Sequence, residues 1–588
     1  MKQFFKYVLA TVVGFFLTFV LIIFFFSIFI ASTISGLQEQ QVTNVKPNSV
    51  LHIQLNYPIK ERTDDSPFEN FDIFNMEPQI TLGLDDILKN IQKAKDDPNI
   101  QGIYLDLFYL RAGWAQVHEI REALLDFKTT GKFIKSYGEV YTQRAYYLAS
   151  VSDKIFLNPE GFVQFNGLNV ELTFYKGALE KLDIEPQIIR HGKFKAATEP
   201  YFLEKMSEAN REQLNTFISG IYGEIIKNIS SARNIPEEEL RTISNELLAD
   251  NANGAVQYGL VDSVYFKDQV LSSFRSELKI GKNDKINFVS LKKYRHSPSK
   301  ESYQKNKIAV IYGSGTIVSG DGDRESLGGD RVSKAIRKAR LDSNVKAIVL
   351  RVNSPGGSSI ASDVIWREIV LAKDVKPVVV SMSSLAASGG YYIACPADKI
   401  VAQPFTITGS IGVFGILFNA QKLYNDKLGI TFDQVKTSEF ADLGNTARPL
   451  TEAEIGKFQK EVDRIYDSFV NKVSKGRDLS YAEVDSIAQG RIWSGIDAKR
   501  IGLVDELGGL ETSINIAAEM AGVEKYRTIS LPKKRDFKEE LLKNILGEAK
   551  ALFIEEELEE YYSYLKKLKD ILKLEGIQMR IPFDIELK

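Results

Sequence analysis

Short apolar runs alternate with longer amphipathic stretches along most of the chain. In the second half, residues 346–352 (KAIVLRV) and 376–382 (KPVVVSM) are β-branched and mostly apolar, as is typical of buried parallel strands. A helix is predicted between them, because Ser358 and Ser359 can cap its first turn. Its apolar face is predicted to carry Ile360, Val364 and Leu371. This alternation predicts an α/β fold with parallel strands.

Two long amphipathic helices are predicted, one in each half of the chain. The second begins at Thr451, because Thr451 and Glu454 form the T-x-x-E pattern of a capping box. Its counterpart begins at Ser207. A charged stretch near the C-terminus, residues 536–575, is also predicted to be helical. We interpret that stretch as a packing or oligomerisation helix rather than a catalytic element.

The chain contains two copies of one unit. Residues 97–107 (DPNIQGIYLDL) align with residues 342–352 (DSNVKAIVLRV) at an offset of 245 positions. The same offset aligns residues 145–159 with residues 390–404. Because similarity at one fixed offset indicates an internal duplication, we expect two homologous domains in tandem.

The predicted organisation has four parts. Residues 1–35 form an N-terminal tip and a transmembrane anchor, and residues 46–300 form the first repeat. Residues 301–530 form the second repeat, and residues 531–588 form a helical tail. The polar segment 292–306 interrupts the periodic pattern, as expected of a linker between the repeats.

The N-terminal segment predicts a membrane anchor. Residues 7–31 carry no charge and are numerous enough to span a bilayer as a helix. Lys2 and Lys6 precede this run, which predicts a cytoplasmic N-terminus and a body on the periplasmic or extracytoplasmic side of a bacterial inner membrane. The alternative is a cleaved signal peptide, but the apolar run is longer than the usual hydrophobic region of a signal peptide, and no clear A-x-A site follows it.

The composition excludes several classes of function. The chain is 44% hydrophobic and 26% charged, as a folded protein is, and its 75 basic and 77 acidic residues leave no excess of positive charge for binding nucleic acid. The single cysteine, Cys395, excludes an intramolecular disulfide and a cysteine-based metal cluster. No Walker loop or dinucleotide fingerprint is present, so we expect neither a metal nor a cofactor.

The two copies differ where the strand 346–352 ends. The second copy continues as Asn353–Ser358 (NSPGGS), whereas the aligned residues of the first copy are Phe108–Gly113 (FYLRAG). A Pro-Gly-Gly turn after a strand leaves backbone amides free, and these amides can stabilise a developing oxyanion. The alternative interpretation is an ordinary glycine-rich connection between a strand and a helix.

A second difference indicates a nucleophile. Ser388 follows the strand 376–382 within the sequence AASGGYY, and the first copy has Gln143 at the aligned position. A serine between small residues, where a strand turns into a helix, resembles a nucleophile elbow. The alternative interpretation is a small residue that allows close helix packing. Ser410, in the sequence TGSIG, is a competing serine that we interpret as part of a turn.

A lysine is the best candidate for the general base. The chain has four histidines and none of them lies in the second repeat beyond the linker, which disfavours a Ser-His-Asp triad within one domain. Buried lysines can be neutral and act as bases. Lys195, in the sequence GKFKAATEP, aligns with Ala441 of the second copy, so each copy has one half of a Ser/Lys pair. Lys193 and His191 are the alternatives.

Taken together, the motifs resemble the long, duplicated form of the signal peptide peptidase A (protease IV) family, within the ClpP/crotonase-like superfamily. The residues that carry the resemblance are Gly192–Pro200, Asn353–Ser358, Ala386–Tyr392, Thr408–Gly412 and Gly490–Asp505. They occur in the order expected for the family, and the resemblance covers nearly the whole chain.

The resemblance implies a serine endopeptidase that degrades cleaved signal peptides at the membrane. It implies Ser388 as the nucleophile, Lys195 as the general base, and an oxyanion hole formed by the amides of Gly389 and of Gly356 or Gly357. It also implies a homotetramer. Two alternatives remain: a non-catalytic membrane scaffold of the same fold, and a crotonase-type acyl-CoA enzyme, which an extracytoplasmic body disfavours.

Overall fold

A computed structural model describes most of both repeats. The described residues are 42–63, 82–298, 303–533 and 578–581, the short segments 71–72 and 77–78, and part of the first 21 residues. The predicted C-terminal helix, residues 536–575, lies outside the described residues. So does much of the predicted anchor, including residues 22–31. Within the part of the chain that is described, no helix is long and apolar enough to cross a membrane.

The first repeat is built on a parallel sheet. Its strands, in sheet order, are Ser263–Val264, Lys154–Leu157, Phe133–Gly138, Ile100–Asp106, Ser49–Ile53 and Asn287–Ser290. Most apolar residues of the central strands are fully buried, as expected of a sheet covered on both faces. The helices of this repeat are Leu84–Asp96, Trp114–Lys128, Gln143–Ala149, Lys176–Lys181, Glu199–Phe202, Glu208–Arg233, Glu237–Glu246, Ala252–Gln257, Lys267–Glu277 and Leu291–Tyr294.

The second repeat has a sheet of the same strand order. The equivalent strands are Glu506–Leu507, Lys399–Ala402, Val378–Ala387, Val345–Ser354, Lys307–Ser314 and Arg527–Leu531. Strands Ile407–Gly409 and Ile492–Ser494 extend this sheet beside the end of Val378–Ala387. Its helices are Gly329–Leu341, Ser359–Lys373, Gly389–Ala394, Glu452–Arg477, Tyr481–Ile487, Gly495–Arg500 and Leu510–Met520.

A third sheet joins the two repeats. Its strands, in order, are Ser326–Gly328, Thr316–Val318, Gly356–Ser358, Gln578–Arg580, Val413–Asn419 and Glu185–His191. Glu185–His191 belongs to the first repeat and pairs antiparallel with Val413–Asn419 of the second repeat over seven residues. This pairing carries the segment that follows His191, with Lys195, to the edge of the second repeat's sheet.

The predicted start of each long helix is confirmed. Thr451 caps Glu452–Arg477, and its hydroxyl accepts a hydrogen bond from the amide of Glu454 in a complete capping box. Ser207 caps Glu208–Arg233 in the same way, accepting from the amide of Asn210. Both helices therefore begin where their side chains satisfy amides that have no partner within the helix.

Two local predictions are wrong. The helix Ser359–Lys373 is capped by Ser358, but Ile360 is 74% exposed and Val364 is 44% exposed. The buried face instead carries Ala361, Ile365, Ile369 and Ala372, and the helix packs against helix Gly329–Leu341. The predicted linker 292–306 begins inside the first repeat, since Tyr294 lies fully buried in the first repeat's core.

Candidate active site

Ser388 lies at a sharp turn between a strand and a helix. The strand Val378–Ala387 ends immediately before it, and the helix Gly389–Ala394 begins immediately after it. The backbone of Ser388 has φ of 54° and ψ of −117°, a conformation that a non-glycine residue adopts only at an energetic cost. Its amide donates to the carbonyl of Gly409 at 2.8 Å. This backbone strain is held in place by the neighbouring strand and is typical of a functional turn.

The small residues beside Ser388 are also required for packing. A Cβ on Gly389 would lie 2.8 Å from Ser362 Oγ, and a Cβ on Gly390 would lie 2.8 Å from the carbonyl oxygen of Ser354. The packing interpretation of the AASGG sequence therefore holds at Gly389 and Gly390. The helix can approach the turn after Ser354 only because these two positions have no side chain.

Lys195 extends from the first repeat to Ser388 of the second. Its Nζ atom lies 2.9 Å from Ser388 Oγ, and both side chains are fully buried. The backbone just before Lys195 is anchored by the second repeat, because the amide of Phe194 donates to the carbonyl of Gln489 at 2.8 Å. Gly490 leaves no space for a side chain here, since a Cβ would lie 2.6 Å from Lys195 Cα.

Burial lowers the pKa of Lys195 well below its usual value. Besides Ser388 Oγ, the Nζ atom contacts the carbonyl oxygen of Ser410 at 3.2 Å and Ser410 Oγ at 3.0 Å. A neutral amine can donate its two hydrogens to Ser410 and keep its lone pair for the hydroxyl proton of Ser388. This arrangement suits a base that must be uncharged before it can accept a proton.

Ser410 does more than form the predicted turn. Its backbone φ is 49°, and its amide donates to the carbonyl of Arg491 at 2.7 Å. The prediction that it is only a turn residue is therefore incomplete, because the turn aims its hydroxyl and carbonyl at Lys195. One signal in the sequence could have indicated this: Ser410, like Ser388, is a serine beside glycine in a segment that follows a strand.

The other two candidates for the base do not reach Ser388. Lys193 is exposed, and its ammonium lies over the ring of Phe194. His191 is half-buried; its Nδ1 atom lies 2.7 Å from Asp463, and its ring stacks on Tyr466. Of the three groups considered as bases, Lys195 alone contacts the hydroxyl of Ser388.

Gly356 and Gly389 border one small space beside Ser388, and Gly357 follows Gly356 in the same turn. Gly356 and Gly357 have φ of 96° and 154°, conformations that favour glycine. A Cβ on Gly356 would lie 2.6 Å from the amide nitrogen of Gly389 and 2.0 Å from the carbonyl oxygen of Met579. The structure therefore brings Gly356 and Gly389 together around the carbonyl oxygen of Met579, whereas a Cβ on Gly357 would lie 2.1 Å from the carbonyl oxygen of Ile317.

The segment Gln578–Arg580 runs along the edge of this space. It pairs antiparallel with Gly356–Ser358, with Met579 opposite Gly357, and the amide of Ile581 donates to the carbonyl of Pro355 at 2.8 Å. Met579 is fully buried in the core of the second repeat. No sequence pattern predicts this strand, because three residues in a polar tail carry no recognisable periodicity.

Comparison with known proteins assigns the family. A model of peptidase family S49 matches residues 126–281 and 371–524, which together make up more than half of the chain. The chain belongs to peptidase family S49. The first matched region contains Lys195, and the second contains both Ser388 and Ser410. The predicted resemblance to the protease IV family and the prediction of two tandem α/β units are thereby confirmed.

Relatives of similar length support the same assignment. Protease 4 of Haemophilus influenzae is 38% identical over 447 residues, which are 74% of this chain and 72% of that protein. Protease 4 of Salmonella typhi is 37% identical over 450 residues, 75% of this chain and 72% of that protein. The chloroplastic serine protease SPPA of Arabidopsis thaliana is 35% identical over 460 residues, 76% of this chain and 67% of that protein. The chain is therefore a serine peptidase.

Proposed function

We propose that the chain is an endopeptidase that uses a Ser388/Lys195 dyad. One observation carries the proposal: two fully buried side chains from different repeats approach within 2.9 Å, and burial lowers the pKa of the lysine. A buried lysine without a carboxylate among its hydrogen-bond partners in the described chain is costly, and such groups concentrate at functional sites.

The first half of the reaction forms an acyl-enzyme. Ser388 Oγ attacks the peptide carbonyl carbon while neutral Lys195 accepts the hydroxyl proton. The negative charge that develops on the carbonyl oxygen faces the amides of Gly389 and of Gly356 or Gly357. When the carbon–nitrogen bond breaks, Lys195 transfers its proton to the leaving amine, so that the lysine is neutral again and the acyl group remains on Ser388.

The second half releases the product and restores the enzyme. Lys195 accepts a proton from a water molecule, whose oxygen attacks the ester carbonyl of the acyl-enzyme. The same amides stabilise the second oxyanion. When the ester bond breaks, Lys195 returns its proton to Ser388 Oγ, and the peptide leaves with a new carboxyl group. One lysine thus acts as base and acid in each half, so the cycle requires no cofactor.

The substrate is an extended peptide that adds a strand beside Gly356–Ser358. Support comes from Gln578–Arg580, which occupies this edge with antiparallel pairing and has its Met579 carbonyl oxygen close to Gly356 and Gly389. Met579 here stands in for the residue whose carbonyl is attacked. Strand addition of this kind fixes a peptide by main-chain hydrogen bonds, while side-chain pockets determine specificity.

The preferred substrates are cleaved signal peptides and other hydrophobic peptides, and the enzyme acts as a homotetramer at a bacterial inner membrane. This part of the proposal rests on the resemblance to the protease IV family and on the uncharged run 7–31, which is long enough for a single-pass anchor. With Lys2 and Lys6 before the anchor, the catalytic body faces the extracytoplasmic side.

The direct test is hydrolysis of a fluorogenic hydrophobic peptide by the full chain in detergent. Lys195→Ala is expected to abolish turnover, whereas the matched control Lys193→Ala, two residues away, is expected to retain it. Circular dichroism and size-exclusion chromatography check that both variants keep the fold and assembly. Full activity in Lys195→Ala would overturn the dyad, and an inert wild type across several peptides would favour the non-catalytic scaffold.

A further inference from the structure

A buried cluster of charged residues connects the two repeats at the strands that lead to the candidate active site. Arg351, in strand Val345–Ser354 of the second repeat, is fully buried. Its Nε atom donates to Glu61 at 2.7 Å, one terminal nitrogen donates to Glu119 at 2.7 Å, and the other donates to Ser381 Oγ at 3.0 Å. Both carboxylates belong to the first repeat. The first repeat therefore supplies the negative charges of the cluster, and the second repeat supplies the positive charge.

Glu61 is the member of this cluster with the most partners. Its Oε2 atom accepts from Arg351, and its Oε1 atom accepts from Gln116 Nε2 at 2.8 Å, Asn353 Nδ2 at 2.9 Å and Ser383 Oγ at 2.5 Å. An ionised carboxylate has acceptor sites for all four of these donors. Glu61 is 5% exposed, so water contributes little to satisfying it.

The partners of Glu61 belong to the two segments that carry the proposed catalytic groups. Asn353 lies three residues before Gly356, at the start of the glycine turn. Ser383 lies five residues before Ser388, on the strand that ends at the nucleophile. A single carboxylate from the first repeat therefore holds the strand that leads to the nucleophile and the strand that leads to the oxyanion turn.

Stability alone does not explain such a cluster. Replacing a buried ion triad by apolar residues of similar volume is often neutral or stabilising, because desolvation offsets the attraction between the charges. What a fully satisfied polar network does provide is a single defined geometry. Catalysis needs such geometry, since a displacement of about 1 Å between reacting groups can slow a reaction roughly 100-fold.

We propose that Glu61 is a positioning residue for the peptidase reaction. From the first repeat, it fixes the distance between Ser388 and the turn Gly356–Gly357 of the second repeat. This inference rests on the proposed site at Ser388. The first repeat then supplies two things to the second: the base Lys195, which contacts the nucleophile, and Glu61, which aligns the two strands that carry the reacting groups.

The test is Glu61→Gln in the full chain, with kcat and KM measured on a fluorogenic peptide across a range of pH. The new amide group would set a donor against Ser383, Asn353 or Arg351, so the strands shift. We expect kcat to fall about 10- to 100-fold while KM stays within about twofold, because the lost contact matters for alignment more than for binding. The pH midpoint should change little, since Lys195 remains buried and burial is what lowers its pKa.

A matched control separates positioning from folding. Glu368 is another 5% exposed carboxylate in the second repeat, paired with Arg337 and Arg340, and Glu368→Gln should lower the melting temperature without lowering kcat. Ser383→Ala removes one donor to Glu61 without leaving a charge unpaired, and it should lower kcat several-fold. This variant decides the question if Glu61→Gln does not fold.

Wild-type kcat in folded Glu61→Gln, or in Ser383→Ala if the first variant does not fold, would overturn the inference. A loss of activity that follows only the unfolded fraction, as in Glu368→Gln, would overturn it too. The result is separable from that of the dyad: full activity in Lys195→Ala would remove the proposed base, whereas the role of Glu61 is judged from the kcat of its own variant.

Discussion

The two repeats have the same strand order but differ at the residue where the nucleophile would lie. In the second repeat, Ser388 has a strained backbone and contacts Lys195. In the first repeat, the aligned Gln143 is the first residue of a helix, and its side-chain oxygen accepts from the amides of Asn166 and Gly167 at 3.2 and 3.0 Å. The same position thus stabilises a loop in one copy and holds a hydroxyl beside Lys195 in the other.

The ends of the adjacent strands differ as well. At the offset of 245 positions, Arg351 of the second repeat aligns with Asp106 of the first. Asp106 is bound by His52 and Lys267 within its own repeat, whereas Arg351 is bound by carboxylates from the other repeat. A duplicated fold can therefore keep its core while one copy becomes a support that supplies single side chains to the other.

The largest expected effect comes from replacing the aligned residues Ser388 and Gln143 by alanine, one at a time. Ser388→Ala should lower kcat by a factor of about 10³ or more, because it removes the nucleophile. Gln143→Ala should leave kcat per folded molecule unchanged, although it lowers the melting temperature. Peptide hydrolysis and thermal unfolding of the same preparations measure both effects. An equal loss of kcat in the two variants would contradict the division of roles between the repeats.

The pH dependence of activity tests whether the first repeat supplies the base. Because burial lowers the pKa of Lys195, the neutral form predominates above a midpoint well below the usual lysine value. We expect kcat/KM to rise about tenfold per pH unit below that midpoint and to level off above it. Lys193→Ala should give the same curve. A flat profile in a folded enzyme would argue against a lysine base.

A smaller effect is expected at Ser410. Ser410→Ala removes the hydroxyl that lies 3.0 Å from Lys195 Nζ but keeps the backbone carbonyl. The charged lysine then loses an acceptor, so the pH midpoint should move to lower pH, and kcat should fall about tenfold because the amine is less well oriented. Rate measurements across the pH range give both values. An unchanged midpoint together with an unchanged kcat would show that Ser410 only forms the turn.

The smallest effect concerns strand Gln578–Arg580, which lies beside the candidate site of the second repeat. Ending the chain at residue 577 vacates the edge of Gly356–Ser358, where Gln578–Arg580 now pairs. We expect KM for a hydrophobic peptide to fall several-fold with kcat nearly unchanged, because the peptide no longer competes with a tethered segment. A higher KM would indicate that this strand forms part of the binding surface instead.

The sequence was sufficient for the features that depend on local pattern and on the duplication. The α/β repeats, the caps at Ser207 and Thr451, and the pairing of Lys195 with Ser388 followed from periodicity, capping residues and the comparison of the two copies. The buried face of helix Ser359–Lys373 could not be predicted from hydrophobicity. Isoleucines occur on both faces: Ile365 and Ile369 are buried, and Ile360 is left exposed.

Contacts between distant segments were beyond sequence analysis. Glu61 and Arg351 are separated by 290 positions, and no pattern in either segment indicates that they meet. The same holds for Met579, which reaches the glycine turn from a tail without a recognisable strand. Ser410 was visible in the sequence, but its role depends on a positive φ that only the fold determines.

The most direct test of a site composed of residues from both repeats measures the reactivity of Ser388 without a peptide substrate. A fluorophosphonate reacts with an activated serine hydroxyl, so comparing its rate of attachment to Ser388 in wild type and in Lys195→Ala reports how far Lys195 activates the serine. The account predicts a rate in wild type and in Lys193→Ala that rises with pH through the lysine midpoint, and at least about 100-fold slower attachment in Lys195→Ala. Attachment to Lys195→Ala at the wild-type rate would contradict the account.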